Sequence, residues 1–223
     1  MLYFSLFFLE LLILFLLSKT LTNSLFGLFH RITRSKKISI YLLSILFLPG
    51  TVVHEMAHAI MASLLHVHVG KMEFMPKLTG NNLKLGSVEV GVSDPFRRTL
   101  IGINPFLIGT ISILGILFLG VRNQLFTNQL YVIISGYIVF EVSNTMFSSK
   151  KDLEGALGVT IAIITIVVIL YFVGFRIPAL NPNHLFSNSL IEQTFQKASL
   201  FMLAPLCIDL ILLIIIKIFK SNS

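Results

Sequence analysis

The stretch VVHEMAHAIM, residues 52–61, sets His54, Glu55 and His58 inside an otherwise apolar run. On a helix, residues four apart project from one face, so the imidazoles of His54 and His58 can hold one metal ion with Glu55 beside them. This is the H-E-x-x-H arrangement of zinc hydrolases, in which the glutamate takes a proton from the attacking water and returns it to the leaving amine. Ionisable groups inside an apolar span are costly and are usually tied to function, which argues against a decorative role.

Zinc held by two histidines needs a third protein ligand, the fourth position being left to water and substrate. The other histidines are His30, His66, His68 and His184, and the acids near apolar runs are Glu10, Glu141, Asp152, Glu154 and Asp209. The path of the chain selects among them. HEMAH lies in the second half of the run 38–66, so the site faces the side on which residues 67–99 emerge. Two further crossings, at 100–120 and 130–147, return the chain to that side just before Asp152. Asp152 is therefore the expected third ligand. Glu141 is its main rival, because it lies three residues before Asn144 and shares a helical face with it, and Glu154 is the remaining alternative.

The elements that must position these residues are built for lipid. The chain of 223 residues is 55% hydrophobic, with a mean hydropathy of +0.90, so its polar residues are too few to cover a water-facing surface. Apolar runs at 2–17, 38–66, 100–120, 130–147, 156–175 and 198–219 are to be compared with the ~20 residues that cross ~30 Å of hydrocarbon. They predict an all-α polytopic membrane protein with five or six transmembrane helices. Pro49-Gly50 is expected to break or kink the second run. Between Gly70 and Val92 the pattern alternates with a period of two, which predicts a small β-hairpin between the second and third spans, with its turn near Gly80-Asn81-Asn82 and a bulge at Gly86-Ser87. Residues 19–37 read as an interfacial amphipathic helix, and 176–197 as a loop with a short surface helix. The chain thus divides into an N-terminal segment 1–37, a core 38–156 and C-terminal transmembrane helices 157–223.

The formal net charge of +7 comes from basic residues in short stretches between apolar runs. That placement points to the headgroups of a lipid bilayer as partner and away from nucleic acid. If basic loops face the cytoplasm, the site of this multi-pass cell-membrane protein opens towards the cytoplasmic side. The five basic residues at 19–37 oppose a simple crossing count, unless 2–17 or 38–49 fails to cross fully. The single cysteine, Cys207, excludes an intrachain disulfide.

His54-Glu55-x-x-His58 followed, two spans later, by Asn144 and then by an Asp ahead of a Gly resembles the site-2 protease class of intramembrane zinc metalloproteases, over about residues 45–156. The resemblance implies Zn2+ as cofactor, a transmembrane helix of another membrane protein as substrate, His54, His58 and Asp152 as ligands, and Glu55 as base. It also implies that Asn144, with Glu141 on the same face, positions substrate or steadies a ligand. The chain departs from the family pattern at Asp152-Leu153-Glu154-Gly155, where Asp-Gly is usual, and at GINPF, residues 102–106, where Asn104 precedes its proline. The alternative readings are a membrane transporter or metal-binding protein using the His-Glu-His face, and a catalytically inactive protease relative.

Overall fold

No proline interrupts residues 2–33, and α1 (Leu2–Thr33) is one helix of 32 residues, about 48 Å long. The computed structural model describes residues 2–74, 77–79, 82–84, 86–147, 152, 159, 161, 165–166, 169 and 189–221. The expected boundary between an apolar helix at 2–17 and an interfacial helix at 19–37 is not there. Phe7, Leu11, Leu14, Ser18, Leu21 and Leu25 form a single buried stripe at three- and four-residue spacing, and this stripe carries the helix through Lys19.

After Arg34, in left-handed conformation, Ser35 caps α2 (Lys36–Leu46) by accepting the Ile38 N–H. Phe47 separates α2 from α3 (Leu48–Leu64), and the axis turns by 69° there. Pro49 sits in the first turn of α3, where its missing N–H is not needed, so the break expected at Pro49-Gly50 falls just ahead of it. α3 carries the HEMAH sequence. Turned by 69°, its ~25 Å length advances along the α2 axis by only about a third.

The expected hairpin lies between α3 and α4. β2 (Lys77–Thr79) pairs antiparallel with β3 (Asn82–Lys84), and β1 (Val69–Glu73) pairs antiparallel with β4 (Ser87–Val90) in the register Val69↔Val90, Met72↔Val88 and Glu73↔Ser87. Gly86 lies in the gap between β3 and β4, whereas the register slips opposite β4, between Val69 and Met72. α4 (Pro95–Arg122) is capped by Asp94, which accepts the Arg97 N–H and pairs with its guanidinium. The Arg97 amide bond comes first among the interactions that hold the Asp94 carboxyl below the usual range. A short 3-10 turn (Leu125–Thr127) leads to α5 (Gln129–Thr145), and the chain ends in α6 (Ser189–Ser221). Residues 189–197, expected in a loop, are the first turns of α6. They contain no glycine or proline, and Phe195 packs edge-on against Phe4 and Phe7 of α1.

Among the described residues, α1, α4 and α6 are long and apolar enough to cross a membrane, and the bent α2–α3 pair makes a fourth if it is one span. Among the described residues the expected five or six are not confirmed. α5 has only 17 residues, and the run 156–175 lies outside the described residues apart from isolated positions. α1 and α6 run parallel: the Tyr3 hydroxyl meets Gln196 at 3.3 Å, Ser199 Oγ donates to Glu10 Oε1 at 2.9 Å, and Leu21 and Leu25 cluster with Ile216. α4 is antiparallel to them. Its Ile113 and Leu117 cluster with Phe7, Leu11 and Leu14, while its first turns reach the level of Thr22 across a shared cavity.

Candidate metal centre

His54 Nε2 and His58 Nε2 lie 3.2 Å apart, a distance that one helical turn of α3 allows. Asp152 closes the triangle, with Oδ1 3.5 Å from His58 Nε2 and Oδ2 3.9 Å from His54 Nε2. Taking one donor atom from each residue, all three lie within 4.8 Å of one another. A tetrahedral ion with bonds of ~2.0–2.1 Å keeps its donors about 3.3 Å apart, so this triangle is of the right size to hold a metal ion, with the His54–Asp152 edge the loosest. The donor chemistry agrees. His58 Nδ1 bonds the Ile101 carbonyl at 2.8 Å, and a carbonyl can only accept, so Nδ1 carries a proton and the neutral imidazole keeps its lone pair on Nε2, the atom that a metal ion needs. Two imidazole nitrogens and a carboxylate gathered at one spot are held together by a shared cation, and a metal ion or a proton can serve.

The turn of α4 at residues 101–105 builds much of this centre. In a regular helix the Ile101 carbonyl would accept from the N–H of residue 105, but that residue is Pro105, which has none. The freed carbonyl is the one that His58 Nδ1 uses. Next to it, Asn104, only 3% exposed, donates from Nδ2 to the Ala57 carbonyl at 2.6 Å and so fastens α4 to α3. Gly102 faces Asp152, and a Cβ there would run into the Asp152 main-chain oxygen. Glycine is what lets the Asp152 turn come within reach of the two imidazoles.

Glu55 is buried beside His54. Gly86 packs over it: a Cβ at Gly86 would lie 2.6 Å from Thr51 Cγ2 and 3.2 Å from Glu55 Oε1. His54, Glu55, His58 and Asp152 line a cavity of about 640 Å³, whose wall includes Ser87, Val88 and Val90 of β4. Gly91 donates its N–H to His68 O, towards β1, so alternation along the strand turns the Val90 and Val88 amides to the opposite edge.

The structure separates the remaining expected site residues from the metal group. Glu141, 1% exposed on α5, is not among the three residues that converge on the metal position. Its Oε2 accepts the Gly50 N–H at 3.2 Å, so it caps the positive end of α3. Gly50 is pressed against the same segment, since a Cβ would come within 2.6 Å of the Glu141 carbonyl oxygen. Asn144 lines the cavity but donates to Asp209 of α6 and to Phe140 O. Its main-chain oxygen accepts from Ser18 of α1 at 3.1 Å. Glu154 lies outside the described residues. The sequence named Asp209 only as an acid near a span, Gly86 only as a bulge, and Gly102 and Pro105 only within GINPF. Glycine and proline in and beside apolar helices were the available signal.

Comparison of the chain with protein-family models, with curated proteins and with solved structures returned no match.

Proposed function

We propose that the protein is an intramembrane zinc metallopeptidase that cleaves transmembrane segments of membrane proteins. The observation that carries this reading is the convergence of His54, His58 and the Asp152 carboxylate on one point, with Glu55 in the same cavity. A zinc ion held by these three residues supplies the Lewis acidity that polarises a peptide carbonyl and makes water acidic near neutral pH. Glu55 takes the proton of the attacking water on its carboxylate and passes it to the leaving nitrogen, so that water and an amide become a carboxylic acid and an amine. Ile101 holds His58 in the tautomer that leaves Nε2 bare. Asn104 keeps α4 against α3 while substrate enters.

A helical substrate hides its peptide groups in its own hydrogen bonds and must unwind before it can be cut. The β4 edge offers it a place, because the Val88 and Val90 amides turn towards the cavity side and can pair with an extended segment as an added strand. Supporting an opening on the cytoplasmic side, Arg31 near the C-terminal end of α1, Arg34, Lys36 and Lys37 just beyond it, and Lys217 near the C-terminal end of parallel α6 lie towards one end of the bundle, where Arg97 and Arg98 also begin α4. The bent α2–α3 pair then enters and leaves on one side, which removes the conflict in the crossing count.

The test is cleavage of a transmembrane-helix reporter by the full chain in liposomes, before and after chelation and after zinc is restored. Cutting that appears only with zinc is expected. A protein that binds zinc stoichiometrically and cuts no helix in a panel of reporters would sink the reading. Val88→Pro removes one edge amide and leaves the metal group untouched, so turnover should fall by about tenfold with zinc content constant. Unchanged turnover would remove β4 from the account.

A further inference from the structure

Asp209 is fully buried on α6, and its Oδ1 accepts from Asn144 Nδ2 at 2.8 Å. The same nitrogen meets the Phe140 carbonyl at 2.9 Å. A carbonyl oxygen and a carboxylate oxygen both call for a donor, so this corner of the Asn144 amide is its NH2, with both hydrogens committed. What remains of the amide is Oδ1, an acceptor that is buried and has no hydrogen-bond partner among the described residues. It belongs to a side chain that lines the cavity with Asp152. A buried amide oxygen without a donor is costly, and the group that relieves it is an N–H.

We infer that Asp209 is a positioning residue: by holding the Asn144 NH2 it turns Oδ1 into the acceptor for a main-chain N–H of the peptide bound in the cavity. Without Asp209 only the Phe140 carbonyl still holds the NH2, so the amide is less firmly fixed and can turn its NH2 towards the cavity, where it repels a peptide N–H. The Ser18 bond to the Asn144 main-chain oxygen holds the backbone of this residue from the other side, so the side-chain torsion is the freedom that Asp209 removes. This inference rests on the peptidase reading and adds to it a contact of stated polarity.

Calorimetry on the zinc-loaded full chain in detergent tests it with two probes. Acetohydroxamate needs only the zinc, whereas a trileucine hydroxamate also needs the contacts to its peptide backbone. Asn144→Ala and Asp209→Ala should each weaken the trileucine probe by about tenfold and leave acetohydroxamate unchanged. The double variant should be no weaker than Asn144→Ala alone, because Asp209 acts through Asn144. Asp209→Asn, whose amide oxygen can accept the same hydrogen, should keep most of the affinity, and Asp209→Leu should match the alanine variant if that one does not fold. Undiminished binding of the trileucine probe without Asp209, losses that add in full in the double variant, or an asparagine variant as weak as alanine would each overturn the inference while acetohydroxamate still binds. If the wild type binds neither probe, the peptidase reading falls and takes this inference with it.

Discussion

Glu55→Gln is expected to lower turnover of a transmembrane reporter by at least about a hundredfold while the bound metal stays at its wild-type amount. Glutamine has nearly the same shape, so it fits beneath Gly86 as the glutamate does, and it has no basic oxygen with which to take a proton. The three residues that converge on the metal position do not include Glu55, so the ion has no reason to leave. Metal analysis and reporter cleavage on one preparation read both halves. A transporter using the same polar face would answer differently, with altered metal flux and no cleavage in either protein. Loss of metal together with turnover would make Glu55 a ligand and displace Asp152 from that role.

Gly102→Ala should lower metal affinity by about ten- to a hundredfold, the range seen when the support of a ligand is disturbed. The added methyl meets the main-chain oxygen of Asp152, and neither side can yield by rotating a side chain. α4 cannot retreat cheaply, because Asn104 and the Ile101–His58 bond tie the same turn to α3. The Asp152 turn is therefore the part that moves, and it carries the carboxylate away from the imidazoles. Gly115→Ala is the control on the same helix: nothing lies within 4 Å of its added carbon, so metal affinity should be unchanged. Zinc titration of both variants against a competing chelator gives the comparison. Equal affinities would mean that Asp152 does not complete the centre.

The legible parts of the fold were those set by local chemistry. The lengths of the apolar runs indicated the membrane helices, the alternation at 70–92 indicated the hairpin, and Pro49 marked the bend within two residues. Errors arose where tertiary packing outweighed composition. Ser18, Lys19 and Thr20 suggested an end to the first helix, yet the buried stripe through Ser18 and Leu21 continues it. The polar residues 189–197 suggested a loop, yet Phe195 finds two phenylalanines on α1 to pack against. At the site, the histidine pair was plain from its spacing, and Asp152 followed from counting crossings. Glu141 stayed open as a rival because helical spacing shows which residues share a face and not which helix end that face will meet. The role of Pro105 within GINPF was not legible for a related reason: its effect is an amide it lacks, and the beneficiary is a histidine 47 residues earlier in the chain.

That missing amide makes the two imidazoles unequal. His58 fills an acceptor that a proline left open inside an apolar helix, so it contributes to the integrity of the membrane domain as well as to coordination. His54 has no such second duty, since its Nδ1 has no bonding partner among the described residues. Evolutionary loss of metal could therefore pass through position 54 with the architecture intact, whereas the same change at position 58 would strand a carbonyl in a medium that cannot solvate it.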